Sequence, residues 1–222
     1  MARQYGLDHS NGNYVVFLDT GDLFISGGDK IILSTIKNNF FYDIYCWGYY
    51  DKFTGRAVRL RNQQTIGYVY RREFLKAHNI HFCKEGSYYN EDYGFNQACL
   101  YILYYYASKH IARLYYSKLP VFKVTQNLES LTEKGAKRFL YRDVTLGKAI
   151  NSIHAIKIAL NNHLSVYNIL PECINIMCEL YYFFIRTYEE RPEYTEFCWN
   201  AAKYYYDNCY STYIKIVENK LQ

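Results

Sequence analysis

Five β-forming residues, Tyr14-Val15-Val16-Phe17-Leu18, lie between Asn11-Gly12-Asn13 and Asp19-Thr20-Gly21-Asp22. The run is too short for a core helix and rich in aromatic and β-branched side chains, so it reads as a buried strand entered from a turn. Two carboxylates follow directly. In an open α/β sheet, ligands bind just past the carboxyl ends of the strands. This one segment therefore points to an α/β chain with a polar site at a strand end.

The neighbouring segments supply the rest of such a fold. Gly28–Asn38 carries Ile31, Ile32, Thr35 and Ile36 at helical spacing. Phe41–Trp47 and Arg56–Leu60 read as strands, as does Gly67–Tyr70. A short helix is expected from Arg71 to near Asn79, and a loop over Phe82–Tyr89 with Gly86 as its turn residue. From Glu91 to about Lys109, Phe95, Ala98, Cys99, Ile102 and Tyr106 share one helical face. Leu114–Tyr116 and Val121–Val124 read as two strands around Pro120. Beyond Asn127 no strand is legible. Leu146, Ile150, Ile153, Leu160 and Leu164 recur at helical spacing, and Pro171 and Pro192 can each open a further helix. The expected organisation is a mixed α/β region over 1–132 and an all-helical region over 133–222.

Composition excludes several classes. Half of the 222 residues are hydrophobic and 21% are charged, which is not the balance of a disordered chain. The longest nearly unbroken apolar run, Ala98–Ala107, is far short of the roughly 18–20 residues of a membrane span. The seven Cys are odd in number and form no CxxC pair, which argues against a zinc site or a disulfide framework and for a reducing cytoplasm. The formal charge of +5 permits nucleic acid or an acidic membrane surface as partner without selecting either. The 28 Tyr accompany frequent Asn, Ile and Lys, so a compositional bias explains them more simply than a row of stacking platforms does. The six His show no metal-ligand spacing and read as structural or surface residues.

Two constellations could carry chemistry. Asp19 and Asp22 at a strand end could hold a divalent cation through oxygen ligands, or bind a ribose. Turn and capping roles explain them equally simply. Asn90-Glu91-Asp92 opens a helix, where acids serve as caps and dipole partners. There a carboxylate could also act as a general base on a hydroxyl nucleophile.

The order of these landmarks resembles that of the nucleotide-sugar glycosyltransferases of family 2, which have the GT-A fold. The resemblance is carried by Ala2-Arg3, Gly6-Leu7, Asn11-Gly12-Asn13-Tyr14 and Val15-Val16-Phe17-Leu18-Asp19. It continues through Gly67-Tyr68-Val69-Tyr70-Arg71-Arg72-Glu73-Phe74-Leu75, then Asn90-Glu91-Asp92-Tyr93-Gly94-Phe95 and Ser130-Leu131-Thr132. It covers about Met1 to Thr132. It implies a partial, Rossmann-like mixed sheet with flanking helices, and transfer of a sugar from a nucleotide diphosphate to an acceptor hydroxyl with inversion.

On that resemblance, Asp92 is the catalytic base and Glu91 shapes the acceptor pocket. Arg3, Asp19, Arg71 and Arg72 face the nucleotide sugar. Asp19 and Asp22 are the candidate ligands of a divalent cation (Mn2+ or Mg2+). Two departures qualify this. Gly21 occupies the position that usually coordinates the metal, leaving Asp22 as the substitute. A nucleotide-binding segment that precedes the Ala-Arg landmark in the family has no counterpart here. A partner chain supplying that half, or a homo-oligomer, is accordingly expected, with a glycan as acceptor. The edge of Tyr14–Leu18 should be open, and a cleft should separate Asp19 from Asp92. The inner membrane face is a second placement for such an enzyme. Two other readings stand beside it: an inactive remnant or accessory subunit of a transferase complex, and a viral transferase that glycosylates DNA bases.

Overall fold

The computed structural model describes residues 2–51, 55–58, 65–84, 90–107, 114–125, 151–152, 154–164 and 203. Its elements run α1 (Ala2–His9), β1 (Tyr14–Val16), β2 (Leu23–Phe24), α2 (Gly28–Asn38), β3 (Ile44–Tyr50), β4 (Ala57–Val58), β5 (Tyr68–Arg71), α3 (Arg72–Ala77), α4 (Glu91–Ala107) and β6 (Leu114–Lys123). The strands form one mixed sheet in the order β1-β5-β3-β6-β2, with β4 added to the end of β3. β3 and β6 are parallel and the other pairs antiparallel. This is the mixed α/β architecture expected over the first part of the chain.

β3 is the centre of the fold because both of its faces are covered. Ile44 and Cys46 point into one core, with Val15, Phe17, Tyr70 and the apolar residues of α4. Tyr45, Trp47 and Tyr49 point into the other, with Ile32, Val69, Val121 and Phe122, and with Ile31 and Ile36 of α2 packed against them. A strand buried on both sides reads as a continuous apolar run, here IYCWGYY. Some of the described tyrosines are therefore core: Tyr45 and Tyr70 are fully buried and Tyr68 nearly so. Burial pushes all three phenols well above their ordinary value.

Several local expectations need correction. The central strand lies at 44–50 rather than 41–47. Phe40 is 72% exposed and Phe41 42%, so the apolar run begins outside the sheet. β6 is a single strand through Pro120, where two were expected. Its ladder with β3 is irregular between Cys46 and Gly48, and the Gly48–Pro120 pair lies at that irregularity. A proline, lacking an N–H, is tolerated where the ladder is already broken. The short strand β2 and the helix α1 were not legible. α1 buries no residue fully, so it shows no apolar stripe; only Leu7 packs against the core.

The described part of the C-terminal region, helical at 151–152 and 154–161, is docked on α4. Ala155, Ile158, Ala159 and Leu164 join the same core as α4. Gly94 makes the close approach possible, since a Cβ there would stand 2.6 Å from the Asn151 carbonyl oxygen. His78 and His154 tie this helix down, through Asn162 Oδ1 at 2.8 Å and the His81 carbonyl at 2.9 Å. The expected helices after Pro171 and Pro192, the Ser130-Leu131-Thr132 landmark and the boundary at 132 lie outside the described residues.

Candidate active site

β1, β3 and β6 run in the same direction, because β5 is antiparallel to both β1 and β3, and β6 is parallel to β3. Their carboxyl ends therefore share one side of the sheet. β1 runs out there through Phe17 and Leu18 to Asp19, and β6 to Thr125.

An aromatic cluster fixes what stands above this end. Phe17 meets Phe82 edge-on at 5.2 Å and Phe95 at 5.5 Å, and Phe82 stacks on Phe95 at 4.2 Å. Each such pair contributes about 0.5–1.5 kcal/mol beyond its buried area. Phe17 precedes Asp19 by two positions, and Phe95 lies one helical turn after Glu91. Packing of the three rings thus sets the first turn of α4 beside the end of β1.

Arg3 of α1 joins the two. One amino group of its guanidinium lies 2.5 Å from Asp19 Oδ1, and the other donates to Glu91 Oε1. The partners are 16 and 88 residues away in the chain. Burial alone would lower the guanidinium pKa, but Asp19 and Glu91 together hold it above its ordinary value. A groove of about 880 Å³ runs along β1. Its lining includes Arg3, Gln4, Val16, Asp19, Lys84 and Glu91.

Asp92 is half-buried next to Glu91, and its carboxylate accepts the Tyr93 N–H at 2.9 Å. Burial pushes the Asp92 carboxyl up to about 6. Arg3 and the Tyr93 N–H pull it down, while Glu91 and Asp19 push it further up. A carboxylate with a pKa near neutrality can take a proton and give it up again under ordinary conditions. The structure therefore gathers Arg3, Asp19, Glu91 and Asp92 in one place.

Asp22 is used differently. Its Oδ1 accepts the Thr125 N–H at 3.0 Å, and Thr125 Oγ1 donates to the Gly21 carbonyl at 2.6 Å. The loop after β1 is thus pinned to the end of β6. Gly21 adopts φ 98°, a left-handed conformation, and a Cβ there would lie 2.9 Å from Thr125 Oγ1. A divalent cation does not find a preformed site among these groups. Asp19 already faces a guanidinium, Asp22 bonds the end of β6, and Gly21 offers no side chain. Among the described residues no cluster of three or more His, Cys, Asp or Glu side chains could hold a metal.

Arg71 and Arg72 stand apart from the gathered residues. Arg71 pairs with Glu73, and with Asp43 at 3.4 Å. Arg72 donates to the Ser10 carbonyl at 2.6 Å and lines a separate hollow with Lys76, Asn79 and His81. Sequence reasoning did not single out Thr125 or the Phe17–Phe82–Phe95 cluster. The only signal for the cluster was the apolar character of three segments far apart in the chain.

No protein-family model matches this sequence, and no curated protein matches it. Solved structures give a partial likeness. Residues 1–349 of S. aureus TarS in complex with UDP align with a TM-score of 0.46 at 17% identity, over 71% of this chain and 48% of that one. The same fragment with UDP-GlcNAc aligns with a TM-score of 0.47 at 17% identity, over 71% and 49%. This chain spans about half the length of those structures. Among the described residues no helix is long and apolar enough to cross a membrane.

Proposed function

We propose that this chain is a glycosyltransferase of the family 2 type, which moves a sugar from a nucleotide diphosphate to an acceptor hydroxyl, in glycan or cell-surface polysaccharide synthesis. The observation that carries the reading is the meeting of Arg3, Asp19 and the Glu91-Asp92 pair at the carboxyl ends of co-directional strands, beside an open groove. These are the residues the sequence landmarks single out, and they converge from three separate segments.

In this reading Asp19 and Arg3 form the donor side and Asp92 is the base. Asp92 takes the proton of the acceptor hydroxyl. The oxygen attacks the anomeric carbon as the bond to the departing diphosphate breaks, and that electron pair leaves with the diphosphate. Attack from the face opposite the leaving group inverts the anomeric centre. Arg3 offsets part of the charge that develops on the diphosphate oxygens. Glu91 shapes the acceptor side of the groove. Arg71 and Arg72, engaged elsewhere, have no part in the step.

Among the described residues β1 pairs with β5 alone and is the edge of the sheet. Val15 and Phe17 are buried while Leu18 is 36% exposed. An edge of this kind presents unpaired backbone groups that another strand can take up. We place there the partner chain, or second copy, that completes the donor site. The test is calorimetric binding of nucleotide sugars, with turnover on a glycan acceptor panel, for the chain alone and with any co-purified partner. Binding and transfer that both fall in Asp19→Asn support the reading. Binding without transfer in every combination favours the accessory or inactive role, and absence of binding in all of them removes the transferase reading.

A further inference from the structure

The two halves of the candidate site belong to different parts of the chain. Asp19 ends the segment after β1, and Glu91 and Asp92 begin α4. Residues of one guanidinium's reach connect them, and that guanidinium sits near the start of α1. α1 itself is weakly attached: none of its residues is fully buried. A second tie near the site is Gln4, whose Oε1 accepts the Phe82 N–H at 2.8 Å and so holds α1 to the segment that carries Phe82 of the aromatic cluster.

We infer that Arg3, besides facing the donor, is a two-headed clasp that holds the end of β1 and the start of α4 at a fixed separation and keeps Asp92 next to a positive charge. Only a forked guanidinium can bond two carboxylates from separate amino groups; a lysine ammonium is a single point. The charges bear this out. Asp19, Glu91 and Asp92 lie around Arg3 and each acts on it electrostatically. Without the guanidinium the three would repel one another, and that repulsion would strain the junction of β1 and α4 that the Phe17, Phe82 and Phe95 rings pack. The groups that act on Asp92 are Arg3 of α1, Asp19 beyond β1, Glu91 and the Tyr93 N–H of α4, and Asp92 acts in turn on Tyr70 of β5. Arg3 is the one cation in that set. The clasp stands on geometry alone. That the carboxylate it steadies is a catalytic base rests on the functional reading above.

The test needs no substrate. Thermal unfolding of the full chain is measured for Asp19→Asn in the wild-type background and again in Arg3→Met. The clasp predicts that the effect is lost or reversed between the two backgrounds. Asp19→Asn lowers Tm when Arg3 is present, because it strips the guanidinium of a partner. It leaves Tm unchanged or raises it in Arg3→Met, because it then removes a repelling carboxylate. If Arg3→Met does not fold, Arg3→Lys serves in its place, with the effect of Asp19→Asn reduced but not reversed. An equal effect of Asp19→Asn in both backgrounds overturns the clasp. As a second readout, the carbon-13 titration of the Asp92 carboxyl should move upward from its wild-type midpoint in Arg3→Met. A merely structural arginine would leave it where it is. Coupling without any nucleotide-sugar binding would keep the clasp and remove the transferase reading; binding with strictly additive Tm values would do the reverse.

Discussion

Arg3 and Asp19 form an ion pair of 2.5 Å between an N-terminal helix and the end of the first strand. The same guanidinium reaches Glu91, one residue from the carboxyl that burial has pushed up to about 6. Charges that would scatter in a solvated turn are held together here by a single side chain.

Asp92→Asn should abolish sugar transfer while leaving the fold intact. Losing a general base slows a reaction by roughly 10²–10⁴-fold. Asparagine fits the same space and can still accept the Tyr93 N–H. Turnover is measured beside the far-UV spectrum and Tm. Wild-type turnover in the variant would remove Asp92 from the mechanism.

The pH dependence of stability has a definite sign. The folded-state pKa of Asp92, about 6, is above its ordinary value of 3.8, so the folded chain binds the extra proton between those values. The Asp92 contribution to stability is therefore full at low pH and falls as pH rises from about 4 to about 6. The ceiling is on the order of 3 kcal/mol, at about 1.4 kcal/mol per pKa unit. Unfolding curves of the wild type and Asp92→Asn across this range should diverge, with the variant lacking that loss. Turnover should move the other way and rise through about pH 6 as the base ionises. A rate flat across that window would count against Asp92 as base.

Gly21→Ala should destabilise the loop after β1 by about 1–3 kcal/mol, from the left-handed backbone and the crowding of Thr125. Thr125→Val should cost less, because the N–H that Asp22 accepts remains and only the hydroxyl bond to Gly21 is lost. Denaturant midpoints would rank the two, and the reverse order would contradict the pinning of this loop to β6.

Phe95→Ala should be among the most damaging core changes, at about 3–5 kcal/mol. Phe95 is fully buried and meets Phe17, Phe82 and Tyr70. The Phe95→Leu variant keeps most of the volume and should retain the fold but loosen the first turn of α4. A larger loss of nucleotide-sugar turnover than of Tm in Phe95→Leu would show that the rings position the site as well as fill the core.

Millimolar Mn2+ or Mg2+ should not raise the Tm of the free chain, because a cation stabilises a fold only as far as it binds it, and Asp19 and Asp22 are each engaged with another group. A rise of several degrees that disappears in Asp22→Asn would show that the loop rearranges to bind the ion.

The sequence by itself determined the pieces that depend on near neighbours. Periodicity located α2 at Gly28–Asn38 and α4 from Glu91, because an amphipathic helix or a buried strand writes its burial into adjacent positions. It also marked Asp19, Glu91 and Asp92, since a carboxylate at a strand end or a helix start is a local pattern. Other features were settled only by tertiary structure. α1 has no apolar stripe, so nothing local announces it. Pro120 looked like a break, and only the irregular ladder opposite Gly48 explains why β6 continues through it. Asp22 looked like a partner of Asp19 for a cation, but its carboxylate bonds the end of β6, 103 residues away. The pairing of Arg3 with residues 16 and 88 positions distant is of the same kind. Contacts at such separations depend on where packing brings the chain back upon itself, and no local pattern records that.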